Sequence, residues 1–176
     1  MPRYAAVDIG SNSVRLLVAD CIPGGPLRIL AAEREVTRLG EGVFRSGRIE
    51  DQAIDFLCAQ LTRMAQVIAR HETLAIRAVA TAAVRDANNQ HEFIARASAS
   101  LGAPIEVISG QEEARLIHLG VILRWPQPEG RILLVDVGGG RQLFVDVALE
   151  TMQVFSRGRI TFFEEDLRQP HRAERF

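Results

Sequence analysis

Cysteine is scarce. The two present, Cys21 and Cys58, are isolated, and two separated thiols suggest neither a disulfide framework nor a zinc site. Their rarity fits a reducing, cytoplasmic setting. Cys58 stands beside Leu57 and Leu61 in a helical pattern and reads as core filling. The four histidines, His71, His91, His118 and His171, lack metal-ligand spacing and read as surface or helix residues. No Ser-His-Asp or Cys-His order announces a covalent nucleophile. No apolar run approaches the roughly 18 residues of a transmembrane helix, so no membrane partner is expected. The N-terminus runs straight into a strand-like segment, and no signal peptide is expected. Charge of one sign is missing too. The net charge of -1 gives no global pull toward nucleic acid. A polyanionic substrate would need local help from metal ions or focused arginines.

What is present is an ordinary soluble composition, 47% apolar and 24% charged, in 176 residues. That length builds one good core and little of a second. Tyr4 to Ile9 and Val14 to Asp20 read as strands joined by the turn Gly10-Ser11-Asn12-Ser13. Pro23-Gly24-Gly25-Pro26 is a strong turn, and Leu27 to Val36 a third strand, which makes an antiparallel meander. The period then changes. Ile54, Leu57, Leu61, Met64, Ala65 and Ile68 share one helical face, with Asp51 early in that helix. Leu74 to Ala80 is a strand. Phe93, Ile94, Ala97 and Leu101 mark a helix that Gly102 stops. Ile105 to Ile108 is another strand, and Gln111 to Leu123 a helix entered through Ser109. A meander followed by strand–helix alternation predicts a mixed five-stranded sheet with helices packed on it.

After a connector at 126–130, the opening recurs. Val135-Asp136-Val137-Gly138 repeats Val7-Asp8-Ile9-Gly10. Each follows an apolar strand and precedes a small-residue turn and a second strand, Val14 to Val18 and Leu143 to Val147. Met152 to Phe155 is a candidate third strand. A duplicated fold is implied, with the second copy only begun. Residues 1–125 form the first lobe in this reading, 131–167 a truncated start of the second, and 168–176 a charged tail.

An Asp at a strand end followed by a glycine turn has a chemical logic. The glycine permits close backbone approach and unusual dihedrals. The loop N–H groups then face phosphate oxygens as an anion-binding nest. The Asp is placed to hold a divalent cation that screens those phosphates. Ser11, Asn12 and Ser13 add side-chain donors, and Gly138, Gly139 and Gly140 offer backbone. The competing reading is a plain tight hairpin, and the duplication weighs against it. Ser109-Gly110-Gln111-Glu112 fits a capping box, with Glu112 reaching back to the Ser109 N–H. Glu113 is thereby left to point elsewhere. It is either a general base for water or a carboxylate complementing the helix dipole. Arg85 follows Ala80-Thr81-Ala82-Ala83 where a strand gives way to a helix. It either forks onto phosphate oxygens or pairs with Asp86 or Glu92.

With these residues in hand, the sequence resembles the exopolyphosphatase / guanosine pentaphosphate phosphohydrolase (Ppx/GppA) family. The matching stretches run from Ala6 to Leu16, Arg38 to Gly42, Ala80 to Ala87, Glu106 to Arg115 and Val135 to Gly140, in the family's order and spacing. Actins and sugar kinases share only the two Asp-x-Gly loops. The resemblance implies an actin-like ATPase, ribonuclease-H-type α/β fold whose second lobe is incomplete here. It also implies Mg²⁺-assisted hydrolysis of a terminal phosphoanhydride, in inorganic polyphosphate or in pppGpp. By that likeness Glu113 is the base that activates water, and Asp8 and Asp136 are the metal-side carboxylates. Gly10, Ser11, Asn12, Ser13, Arg85 and Gly138 to Gly140 form the phosphate cradle.

The family's triple glycine is followed by Ser-Thr-Glu, whereas this chain has Arg141-Gln142-Leu143. A guanidinium stands where a hydroxyl donor is expected, and an acid is missing. That favours, as the alternative function, a non-catalytic polyphosphate or guanosine-nucleotide binding lobe. An actin-like ATPase or kinase is a third reading, opposed by the Glu-Glu-Ala-Arg and Ala-Thr-Ala-Ala-Val-Arg runs. Residues 131–155, lacking their usual partners, are expected to self-associate.

Overall fold

A computed structural model describes residues 1–22, 25–123, 132–138, 141–148, 151–156 and 159–163. The connector at 126–130, the tail at 168–176 and the glycines Gly139 and Gly140 lie outside these residues. The chain divides into two units, Met1–Ile108 and Ser109–Phe176.

In the first unit, β1 (Arg3–Ile9), β2 (Ser13–Asp20) and β3 (Arg28–Val36) form the expected meander. Ala5, Val7 and Ile9 alternate inward on β1, while Tyr4 and Asp8 stand half-buried on the opposite face. That period of two is what a strand with one core face requires. Helix α1 (Leu39–Ser46) follows, then α2 (Asp51–Arg70) and β4 (Ala75–Ala80). The short α3 (Ala82–Arg85), α4 (Gln90–Leu101) and β5 (Ile105–Val107) complete the unit. The sheet order is β3-β2-β1-β4-β5. β1 pairs antiparallel with β2 and parallel with β4, and β4 pairs parallel with β5. This is the five-stranded mixed sheet that the strand pattern predicts, with every strand end within one residue of expectation.

The core is the α2 stripe. Ile54, Leu57, Leu61 and Met64 are fully buried and Ile68 nearly so. Each such side chain contributes about 1.5–3 kcal/mol relative to exposure. Half-buried Cys58 packs against this cluster. α4 lies on α2 and ends where Gly102 adopts a left-handed φ of 73°, as its sequence position predicts.

Helix α1 is a feature the hydrophobic pattern does not announce. It carries Gly40 and Gly42, each worth about 1 kcal/mol against a helix relative to alanine. Tertiary contact explains them. A Cβ on Gly40 would lie 3.2 Å from Ser11 Cβ, and one on Gly42 would lie 2.9 Å from the Arg48 carbonyl oxygen. Only glycine lets this helix sit so close to its neighbours, and burial of Leu39 and Val43 offsets the propensity lost.

The second unit opens with α5 (Gly110–Ile122), which lies on β7. Its strands are β6 (Ile132–Gly138), β7 (Arg141–Ala148), β8 (Thr151–Ser156) and β9 (Arg159–Phe163), antiparallel in the order β6-β7-β8-β9. The meander is thus one strand longer than expected. β9 comes from a stretch of the second lobe for which no strand is expected, and pairing with β8 supplies the hydrogen bonds that make Arg-Ile-Thr-Phe-Phe a strand.

The internal repeat is real in register. Asp8 stands opposite Arg15, and Asp136 opposite Leu143, so each Asp faces the residue seven positions on. The hairpins differ at their tips. The first ladder ends at Ile9↔Val14, whereas the second runs on to Gly138↔Arg141.

Candidate active site

Three backbone segments meet at the carboxyl edge of the parallel strands in the first unit. The Thr81 N–H donates to the Ile9 carbonyl at 3.1 Å, and the Ile108 N–H donates to the Ala80 carbonyl at 3.1 Å. The loop after β1, the turn after β4 and the exit of β5 therefore share one edge. In open α/β sheets ligands bind beyond the carboxyl ends of the strands, where the strand order reverses. β1 is such a point here, with its antiparallel partner on one side and its parallel partner on the other.

The loop Gly10–Ser13 closes through a Gly10 N–H bond to the Ser13 carbonyl at 3.0 Å. Gly10 needs room rather than a special dihedral, because a Cβ there would lie 3.3 Å from that oxygen and its φ is not left-handed. At Gly10 the unusual backbone angle expected of the loop glycine is therefore not a left-handed φ. Ser11 is half-buried and Asn12 exposed, whereas Ser13 is buried. Asp8, half-buried, precedes the loop at the end of β1.

A second turn is bonded onto this loop. The N–H groups of Thr37 and Arg38 both donate to the Asn12 carbonyl, at 2.9 and 3.1 Å, and the Gly40 N–H donates to the Ser11 carbonyl at 2.8 Å. Local pattern gave no sign that Thr37 to Gly40 would lie here. The available signal was the Arg38-Leu39-Gly40-Glu41-Gly42 stretch.

Arg85 is half-buried, and its Nη1 donates to the Ile108 carbonyl at 2.8 Å. The Gln90 side chain holds the backbone beneath it, donating to the Val84 and Arg85 carbonyls at 3.2 and 3.4 Å. The Glu92 carboxylate is bonded by Arg48 and also lies near Arg96. The guanidinium thus serves the backbone of the strand exit, a role the sequence did not suggest.

Within the second unit, Ser109 caps α5. Its Oγ accepts from the Glu112 N–H at 3.1 Å. The Glu112 carboxylate accepts from Nε and Nη2 of Arg115, at 2.7 and 2.9 Å. That bidentate pair adds a partner that the capping-box reading did not foresee. Glu113 is half-buried in the same first turn. Asp136 lies in β6, two residues before Gly138. His118 lies in helix α5, one of the two placements expected for the histidines, and is not at the surface. It is 4% exposed, and its Nε2 has no hydrogen-bond partner among the described residues. Burial lowers its pKa from the usual 6.5.

A strand-end Asp followed by a glycine hairpin, present in each of two meanders of which the first is part of a mixed sheet, defines an actin-like, ribonuclease-H-type α/β protein. The chain belongs to the Ppx/GppA phosphatase family, whose model matches residues 17–158. It is 38% identical to Exopolyphosphatase 2 of Mycobacterium tuberculosis over 148 residues, covering 80% of this chain and 46% of that protein. The crystal structure of the Aquifex aeolicus Ppx/GppA family member superposes with a TM-score of 0.76 at 34% identity, over 89% of this chain and 51% of that one. An exopolyphosphatase from Cytophaga hutchinsonii gives 0.79 at 28% identity, over 92% and 50%. The chain therefore spans about half the length of these relatives.

Proposed function

We propose that this chain binds the end of an inorganic polyphosphate chain and takes part in hydrolysing its terminal phosphoanhydride bond. The observation that supports the reading best is the meeting of the Gly10–Ser13 loop with the Thr81–Arg85 and Ile108 segments at one strand edge. The name of the mycobacterial relative favours polyphosphate. Guanosine pentaphosphate, pppGpp, has the same terminal bond and is the second substrate to test.

In this reading the N–H groups and side chains of Ser11 and Asn12 hold the terminal phosphate. Arg85, stiffened by its bond to Ile108, draws off negative charge. Glu113 takes a proton from water as the water oxygen attacks the terminal phosphorus. The bridging P–O bond then breaks, and the shortened chain leaves with the electron pair. Asp8, with the hydroxyl and amide side chains of Ser11, Asn12 and Ser13 three to five residues on, offers hard-oxygen donors of the kind that suit Mg²⁺. Asp136 is its proposed counterpart in the second hairpin. Bound there, the cation would screen phosphate charge.

A second reading, a binding lobe without turnover, is favoured by Arg141-Gln142-Leu143 standing where the family has Ser-Thr-Glu. Phosphate release from long-chain polyphosphate and from pppGpp, with Mg²⁺, separates the two. Release that Glu113→Gln abolishes supports hydrolysis. Tight polyphosphate binding with no release from the folded chain supports the binding lobe. Neither binding nor release removes both.

A further inference from the structure

The turn between β3 and α1 is clamped to the candidate phosphate loop by three backbone hydrogen bonds, two onto Asn12 and one onto Ser11. An anion held by Ser11 and Asn12 is therefore within the neighbourhood of Thr37 and Arg38. Arg38 carries two signs of a role beyond packing. Its backbone is left-handed, with φ 51° and ψ 35°, a conformation shared by one other non-glycine among the described residues, Glu72. Such a residue persists only where its surroundings over-determine it, and such residues cluster at functional sites. The side chain is 66% exposed, and its ion-pair partner among the described residues is Glu41, 70% exposed and 3.7 Å away. A solvated pair at that distance contributes little and is readily exchanged for a better anion.

A third observation comes from the adjacent residue. Thr37 is 7% exposed, and its hydroxyl has no hydrogen-bond partner among the described residues. Buried hydroxyls are normally satisfied, so this one marks a turn not optimised for internal bonding alone. The choice of cation matters as well. The sequence contains no lysine, and all 21 basic residues are arginines. The side chain offered beside the loop is a planar fork that matches two phosphate oxygens at once.

We propose that Arg38 is a substrate-binding residue. Its guanidinium engages the phosphate next to the one held by the Ser11–Asn12 loop, so the site prefers a chain of linked phosphates over orthophosphate. This rests on the reading of that loop as a phosphate cradle.

The test is calorimetric titration of the 176-residue chain with inorganic tripolyphosphate and with orthophosphate, at two salt concentrations. Arg38→Gln is expected to weaken tripolyphosphate binding about tenfold, the loss of one charge-assisted hydrogen-bonded contact, and to lower its salt dependence. Orthophosphate binding should change far less. Arg38→Gly should show the same loss while its thermal midpoint rises, because glycine accepts the left-handed backbone. That rise separates lost recognition from lost folding. Wild-type binding of tripolyphosphate that Arg38→Gln leaves unchanged overturns this inference and leaves the cradle standing. Failure of the wild-type chain to bind tripolyphosphate overturns both.

Discussion

Arg85 holds the end of β5 in place: its Nη1 donates to the carbonyl oxygen of Ile108 at 2.8 Å, across 23 positions of sequence. Ile108 is also fixed from the other side, through its N–H bond to Ala80. The residue before the α5 cap is thus pinned by a strand and by a cation. Arg85→Ala leaves a carbonyl in a partly buried setting without its charged donor. A loss of about 1.5–3 kcal/mol in urea unfolding is expected. A loss below half a kcal/mol would mean that water replaces the guanidinium freely.

Asn89 brackets the backbone of Ile49. The Ile49 N–H donates to Asn89 Oδ1, and Asn89 Nδ2 donates to the Ile49 carbonyl, each at 3.0 Å. Both residues are buried, so Asn89→Ala strands a donor and an acceptor together. The expected cost is about 2–4 kcal/mol, larger than a typical surface substitution. Asn89→Asp keeps the acceptor but turns a carboxylate toward a carbonyl, and should unfold at still lower urea at neutral pH.

Gly40 is the contact point between α1 and the loop after β1. Gly40→Val adds branched bulk where a Cβ alone would meet Ser11 at 3.2 Å and the Phe44 ring at 2.8 Å. Phe44 is exposed and can swing away, but the Ser11 backbone cannot move without moving the loop. Overpacking of this kind costs about 1–3 kcal/mol. Tripolyphosphate affinity should fall alongside stability, whereas Leu61→Ala, in the core, should lower stability alone when binding is measured on the folded fraction.

His118 links the second unit to pH. Burial disfavours its charged form, so its pKa in the folded state lies below the usual 6.5. The unfolded chain therefore binds the proton more readily than the folded one. The contribution to stability is fully present above about pH 6.5 and is lost as pH falls below that value. Urea midpoints should drop between pH 7.5 and 5.5, and His118→Leu should flatten that part of the slope. An unchanged slope would mean that other groups set the acid sensitivity.

Much of the fold was legible because local patterns and the core agree. The alternation of Ala5, Val7 and Ile9, the α2 stripe and the Gly102 stop each follow from periodicity or backbone sterics in a short window. The Ser109 cap on α5 follows equally from a short polar side chain set before a helix. Where prediction fell short, distant contacts were in control. Helix α1 exists despite two glycines because of what Gly40 and Gly42 touch. His118 is buried although nothing in its neighbourhood of sequence requires it.

Taken alone, the sequence determined the strand order along the chain, the duplicated Asp-x-Gly hairpins and the family. These depend on residue type and spacing, which a single chain displays in full. Tertiary structure decided that the Thr37–Gly40 turn lies on the Ser11–Asn12 loop and that Arg85 reaches Ile108. Those relations span tens of residues, and the sheet must form before the hydrogen bonds that define them have partners.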